Sequence, residues 1–520
     1  IMNRKEHPRP IFYRKNWLNL NGKWSCDFSK NIKGISTSQI NKKKYSKTVN
    51  IPFCPESQLS GIGHTDFIQE IYYQRSFVIP KSWKNKNILL HFGGVDYQSL
   101  IFINKKKVGA NTGGSSPFSI DITSSTDFNS TNDLKLYVID KRCQGSLGPT
   151  PWYYGDGTFD NETLIKKWTL NKKRTQPRGK QSPHQQSWGC FYTRTTGIWQ
   201  TVWLEAVNKT HIKGITIQPD LKLSQFNFIP EYSSKTECLL KIDISFKNKK
   251  ISSSLSLTTN KKFSIKIKNP KLWSIGQPNL YDFTFTLLSK NKNNIYDIVK
   301  SYSGMRSIEI KKNKIYLNNK PLYQRLVLDQ GFYPTGIWTA PSDKDLKNDI
   351  VLSMKAGFNG ARLHEKVFED RFHYWADKLG YITWAEFPNW GMNENAKASE
   401  TSFMNEWPRI VNYLKNHPSI ITWTPFNETN TRECNAQHKK LMRKAYTVTK
   451  KIDPTRPVNE TSGYQHQKTD IWTVHHYQPN PEKLKVALNP KKGVYRNFPH
   501  FETNYKNEPY IIDEYGGVWW

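Results

Sequence analysis

Across the first 208 residues, apolar side chains fall at alternate positions in short runs separated by Gly, Pro and Asn. Examples are IYYQRSFVIP (71–80), NILLHFGGVDYQSLIFINKKKVG (87–109), DLKLYVID (133–140) and GIWQTVWLE (197–205). A period of two with little helical periodicity predicts a β-sandwich or jelly roll over 1–208. Trp199 and Trp203 share a parity in the last run and are expected in the core rather than as ligand platforms. Residues 143–187 are polar and rich in Gly and Pro, the composition of a long loop bordering a site. Strand-length pieces continue over 209–310, among them CLLKIDISFKN, KFSIKIKN and YDFTFTLLSK, and predict a second, smaller sandwich.

From 311 to 520 the pattern changes to buried strands alternating with helices. KPLYQRLVLDQ (320–330) is followed by SDKDLKNDIVLSMKAG (342–357), a helix with Ser342 as N-cap and Gly357 as its stop. FNGARLH (358–364), YITWAEF (381–387), HPSIITWTPFNE (417–428), RPVNE (456–460), DIWTVHHY (470–477) and EPYIIDEYGG (508–517) bring the strand candidates to seven. Nearly continuous apolar strands with polar C-terminal ends predict a parallel (β/α)8 barrel, whose chemistry gathers at those ends. The count stops one short of eight, so a barrel lacking its last part is expected. Such a barrel would expose an unpaired edge.

The 520 residues accommodate three or four domains at roughly 150 each, and 18 Trp, 26 Tyr and 26 Phe supply material for substantial cores. A formal charge of +34 attracts anionic partners. Lysine-rich runs such as NKKKYSK (41–47) point mainly to a lysine-biased surface, with an anionic glycan as the alternative. Zinc-finger spacings and a compact basic helix are missing, which argues against a nucleic-acid partner. No apolar run reaches 18 residues, so no membrane-spanning helix is expected. Six scattered Cys without a CxxC pair argue against a zinc site. The opening IMNRKEHPRP holds no apolar signal core, and the compartment stays open between cytoplasm, periplasm and exterior.

Glu428 and Glu514 each end a barrel strand. Two carboxylates across a barrel mouth can act on an acetal carbon, one as proton donor and the other as charged nucleophile. A separation near 5 Å gives retention; about 6.5–9.5 Å admits a water and gives inversion. Position alone leaves open that either caps a loop.

The chain resembles glycoside hydrolase family 2, the β-galactosidase, β-glucuronidase and β-mannosidase family. The resemblance rests on PFCPESQLSGIG (52–63), PRGKQ (177–181), FYTRTTGIWQTVWLE (191–205), LDQGFYPTGIWTAPSD (328–343), GFNGARLHEK (357–366), NHPSIITWTPFNE (416–428) and DEYGG (513–517). It implies a sugar-binding-like jelly roll, an immunoglobulin-like sandwich and a TIM barrel, with Glu428 as acid/base and Glu514 as nucleophile. A retaining exo-β-glycosidase is the implied activity. A β-galactoside is favoured as substrate, with β-glucuronide, β-mannoside or a non-catalytic carbohydrate-binding homologue as alternatives. The double displacement requires no cofactor, although some relatives use Mg2+ near the acid/base. Broad sandwich faces allow a homo-oligomer.

Asn427 is expected to hold the hydroxyl beside the reacting carbon, and Arg362 to keep the nucleophile charged. His364 and Asp329 are candidate sugar contacts, and Trp384 and Glu386 end the third strand. Glu386 is either a hydroxyl acceptor or a partner of Arg362. His476 and Tyr477 end the sixth strand, with Tyr477 donating to the nucleophile. His475 is expected to point away, and Trp519 to stack on the sugar. Two departures stand out near the acids. Asp513 occupies a Ser or Thr position and is expected to face away on its strand, and Thr429-Asn430 replace Ser-Trp-Gly. The stretch 143–176 also exceeds its counterpart.

Overall fold

A computed structural model describes residues 4–141, 175–182, 186–187, 189–257, 262–429 and 433–516. Trp519, Asn430 and all but the end of the 143–176 stretch lie outside the described residues.

The alternating runs of the first region form two facing antiparallel sheets. One has the strand order Trp17–Asn19, Val202–Val207, Asn87–Phe92, Phe118–Asp121. The other runs Lys47–Ile51, Gly22–Ser29, Glu70–Val78, Thr131–Ile139, Gln98–Ile103, Lys106–Thr112. Ile88, Leu90 and Phe92 alternate inward on one strand and meet Trp24, Tyr73 and Leu136 from the opposite sheet. This is the jelly-roll layering that period-two patterning specifies. Both tryptophans are buried. Trp203 stacks on His91 at 4.8 Å. Trp199 lies just before the strand, donates from Nε1 to the Gly114 carbonyl at 2.8 Å, and packs against Trp338 of the third region.

The second region is an antiparallel sandwich. Its three-stranded sheet is Ile212–Asp220, Gln225–Tyr232, Phe263–Lys266, and its four-stranded sheet is Lys249–Leu257, Cys238–Phe246, Leu280–Ser289, Ile295–Gly304. Phe226, Phe228, Phe283 and Phe285 fill the space between, several of them edge to face.

The third region is the parallel unit. Leu326–Asp329, Gly360–Leu363, Ile382–Glu386 and Ile420–Thr424 pair in sequence order. Residues 457–462 continue the sheet through Trp423–Val458 and Asn427–Ser462 bridges. Trp472–His476 then pairs in parallel with Tyr510–Tyr515. Helix Asp343–Lys355 starts where expected, with Ser342 accepting from the Asp345 backbone N–H. Among the described residues no pairing joins Tyr510–Tyr515 to Leu326–Asp329. A cavity of about 330 Å³ lies between these two strands, lined in part by Leu328, Arg362, Trp384 and Ile512. No described helix is long and apolar enough to cross a membrane.

Buried guanidinium groups tie the units together. Arg14 donates from Nη1 to Glu205 Oε2 (2.9 Å) in the first unit and from Nη2 to Asp297 Oδ2 (2.9 Å) in the second. Arg306 donates to the carbonyls of Pro418 (2.6 Å) and Ile420 (2.9 Å), fixing the fourth barrel strand. Removing one partner of a buried charge cluster strands the others without solvent. Arg14→Ala is therefore expected to lower unfolding free energy by about 3–5 kcal/mol, measured by urea denaturation.

Candidate active site

The parallel strands of the third unit set the geometry. Register places Arg362 beside Trp384 and Leu328, so all three face the barrel interior. Arg362 is 2% exposed and is held by four bonds. Its Nε donates to Glu386 Oε2 at 2.8 Å and its Nη2 to Glu386 Oε1 at 3.3 Å. Its Nη1 donates to Glu514 Oε1 at 2.7 Å, and its Nη2 also reaches Asn427 Oδ1 at 2.5 Å. Glu386 is thus the ionic partner of Arg362. Burial pushes its carboxyl up to about 7 against the pull of that guanidinium.

Glu428 has a backbone φ of +40°, a left-handed conformation unusual for a glutamate. The bond from its N–H to the Ser462 carbonyl (3.0 Å) secures it there. The preceding Asn427 is clasped by Asn389, which accepts from its N–H at 2.7 Å and donates to its carbonyl at 2.9 Å. Asn427 Nδ2 is buried without a protein partner, a donor available to a bound hydroxyl.

Glu514 sits on the last described strand. Burial alone would raise its pKa, but the charges of His475 and Arg362 outweigh it and hold the carboxyl well below the usual range. Tyr477 donates to Glu514 Oε2, as expected. His364 Nε2 lies 3.4 Å from Glu514 Oε1, and burial pulls this imidazole down to about 3, leaving it neutral. One oxygen each of Glu428 and Glu514, with a ring nitrogen of His475, all lie within 4.8 Å of one another. Such a close approach of two carboxylate oxygens suits direct attack on an anomeric carbon.

Several expectations are corrected by register. Asp329 pairs with Leu363, a residue of the strand–helix core, so it faces the helices rather than the site. It accepts from the Gly331 N–H at 2.9 Å, and burial with the neighbouring Asp349 pushes it up to about 6. Gln330 takes its place, with Nε2 3.1 Å from His364 Nδ1. Trp384 faces inward but one layer deeper than Glu386, packed with Ile421 and Ile471 and donating to Gln324 Oε1 at 2.8 Å. It is barrel floor.

Three more residues face otherwise than expected. Val474 pairs with Ile512 but His475 pairs with Glu514, leaving Asp513 as the extra residue. Asp513 and Glu514 consequently both face inward: Asp513 Oδ2 is 3.7 Å from Arg362 Nη1 and accepts from Ser462 Oγ at 2.6 Å. His475 turns in as well, with Nδ1 2.7 Å from Glu428 Oε1. His476 turns out and lies edge-on to Tyr495 at 4.9 Å. Period-two reasoning could not detect a bulge; the unusual acid at 513 was its one visible sign.

The first unit also reaches the mouth. Arg178 and Gly179 N–H groups donate to the carbonyls of Trp390 and Pro388, at 2.7 and 3.2 Å. Lys180 lies 3.8 Å over the Trp390 ring, and Tyr192 donates to Gln330 Oε1 at 2.7 Å.

Glu428, His475 and Glu514 are the one set among the described residues whose ligand atoms converge enough for a cation. As a Mg2+ site the set is weak. Mg2+ takes oxygen ligands in a near-octahedral shell, whereas one donor here is an imidazole with both nitrogens already facing carboxylates.

Three family profiles match the chain in order. They are glycosyl hydrolases family 2, sugar binding domain (residues 15–140), glycosyl hydrolases family 2 (210–306) and glycosyl hydrolases family 2, TIM barrel domain (308–518). A putative beta-glucuronidase of Formosa agariphila is 26% identical over 81% of this chain and 47% of its own length. A beta-galactosidase of Thermoanaerobacter pseudethanolicus is 24% identical over 86% of this chain and 55% of its own. The chain thus spans about half the length of these two curated relatives. The Bifidobacterium dentium beta-glucuronidase complexed with coumarin-3-O-glucuronide has the same fold. Its TM-score is 0.78 at 17% identity, covering 97% of this chain and 84% of that one.

Because charge on Glu514 depends on the cations around it, Arg362→Met is expected to raise its pKa. The titration of Glu514, followed by carboxyl 13C NMR, should then move to higher pH, by about one to three units, with the fold confirmed by circular dichroism.

Proposed function

Since the chain belongs to glycoside hydrolase family 2, we propose that it is a retaining exo-β-glycosidase acting through Glu428 and Glu514. The observation that carries this reading is the approach of one oxygen from each carboxylate to within 4.8 Å of the other. Glu514, held as an anion by Arg362 and Tyr477, attacks the anomeric carbon. Glu428 gives a proton to the departing oxygen. A glycosyl ester forms on Glu514; water, deprotonated by Glu428, then releases the sugar with its β configuration. Asn427 Nδ2 and Glu514 flank the position of the adjacent hydroxyl, whose hydrogen bonds strengthen as charge develops.

For the glycone, β-glucuronide is the better supported reading, in place of the galactoside that the sequence alone favours. Solved structures of similar fold are β-glucuronidases from Bifidobacterium dentium and Ruminococcus gnavus. Within the chain, buried Lys180 sets a cation near His364, opposing protonation of that ring, where it can offset a sugar carboxylate. A surplus of 34 positive charges suits an acidic substrate as well. The β-galactosidase among the relatives supports galactoside as the second reading.

Glu514→Gln is expected to lower turnover by about three orders of magnitude or more while leaving thermal unfolding unchanged, and unaltered turnover would defeat the assignment. A panel of aryl β-glucuronide, β-galactoside, β-mannoside and β-glucoside decides the glycone. The account expects the highest kcat/KM for the glucuronide, and a larger loss on that substrate than on galactoside when Lys180 is replaced by Met.

A further inference from the structure

His475 turns inward at the parity of Tyr477, and the bulge in the neighbouring strand leaves Asp513 facing inward beside Glu514, so that the two meet between the glutamates. His475 is 3% exposed, and its backbone is gripped on both sides by the Asn497 amide, at 3.0 and 2.8 Å. Around its Nε2 stand Ser462 Oγ at 2.9 Å, Asp513 Oδ1 at 3.3 Å and Glu514 Oε1 at 3.5 Å. Ser462 gives its single hydroxyl proton to Asp513 Oδ2 at 2.6 Å, so towards His475 it can only accept. Nε2 therefore carries a proton. Nδ1 faces Glu428 Oε1 at 2.7 Å, a separation that needs one proton between the two atoms.

We propose that this proton is the one used in catalysis, so that the acid is a Glu428–His475 pair sharing a single proton, with Asp513 keeping it in place. The inference rests on the glycosidase reading above. At rest the proton sits on Nδ1, beside the Glu428 carboxylate. In the first half-reaction it passes to Glu428, whose carboxyl group turns and delivers it to the glycosidic oxygen as that C–O bond breaks and the Glu514 ester forms. The pair is left as a carboxylate and a neutral imidazole protonated at Nε2. In the second half-reaction the attacking water surrenders a proton to Glu428, its oxygen bonds to the anomeric carbon, the ester breaks, and the pair regains its proton.

The groups facing the ring are Glu428 from the fourth strand's end, Asp513 and Glu514 from the last strand, and Ser462 and Tyr464 from the loop after the fifth segment. Tyr477 from its own strand completes the shell. Burial lowers the imidazole pKa, but Glu514 and Asp513 outweigh it and push the ring up to about 10. A proton stored there survives to higher pH than one on a lone carboxyl. The same charge also favours the Glu514 anion. Here His475 is a positioning residue for the proton: it acts through Glu428 and need not touch the sugar.

The test is the pH profile of kcat/KM in the full chain, with alkyl and 2,4-dinitrophenyl β-glycosides, for the parent, His475→Gln, Asp513→Asn and Glu428→Gln. For His475→Gln the account expects the profile to narrow from both sides. The alkaline limb falls by about one unit or more because Glu428 must hold its proton alone, and the acid limb rises because Glu514 loses a cation. The loss is expected to reach about tenfold or more on the alkyl substrate and to be small on the dinitrophenyl substrate, which needs no acid. Asp513→Asn should lower the alkaline limb without raising the acid limb, and it tests the proposal even if the histidine variant does not fold. A uniform drop in kcat with both limbs in place, equal for the two leaving groups, would overturn the proposal. If Glu428→Gln spares the alkyl substrate, it is the glycosidase reading that fails; if it does not, unmoved limbs in the other variants overturn the shared proton alone.

Discussion

The site depends on one buried guanidinium. Arg362 sits in the barrel interior with hardly any access to water, a position a cation occupies only if it is paired and its hydrogens are bonded. Its partners come from three other segments: Glu386 from the third strand, Asn427 from the end of the fourth and Glu514 from the last. Satisfying the guanidinium therefore draws these segments to one point. It also explains why Glu514 can be buried and still charged: Arg362 and His475 supply opposite charge where solvent cannot.

Around that point the first unit acts as part of the barrel mouth. Gly179 has a φ of +57°, and a Cβ there would fall 2.2 Å from the Glu365 carbonyl. Glycine at this position lets the loop lie flat on the residues after the second and third strands. Farther out, Glu406 of helix Lys397–Leu414 accepts from the Ser115 and Ser116 N–H groups, at 2.8 and 3.0 Å. Trp199 meets Trp338 at 4.5 Å in the same seam. These contacts make the jelly roll a wall of the site.

Much of this was legible in the sequence because burial imposes periodicity. Alternation marks the sandwich strands, and apolar runs followed by polar ends mark the parallel ones. Strand ends and the family resemblance together single out Arg362, Glu386, Asn427, Glu428, Tyr477 and Glu514, and the structure brings all six together. The method failed where a count of two fails. At the first strand, parity alone did not say which of Leu328 and Asp329 faces inward, and the pairing gives that face to Leu328. Trp384 has the right parity but the wrong depth. The bulge on the last strand lets Asp513 and its neighbour Glu514 face inward together, whereas His475 simply shares the inward parity of Tyr477, with His476 between them facing out. Contacts between units, such as Tyr192 with Gln330, leave no periodic trace.

The central claim is that Glu514 becomes covalently bonded to the sugar while Glu428 handles the proton. Trapping with a 2-deoxy-2-fluoro β-glycosyl fluoride of the preferred glycone, followed by peptide mass spectrometry, tests it most directly. The account predicts one fluorosugar per chain, on the peptide bearing Glu514 and esterified at that residue. An enzyme that turns over this class of substrate yet carries no adduct, or carries it on another residue, would contradict the account.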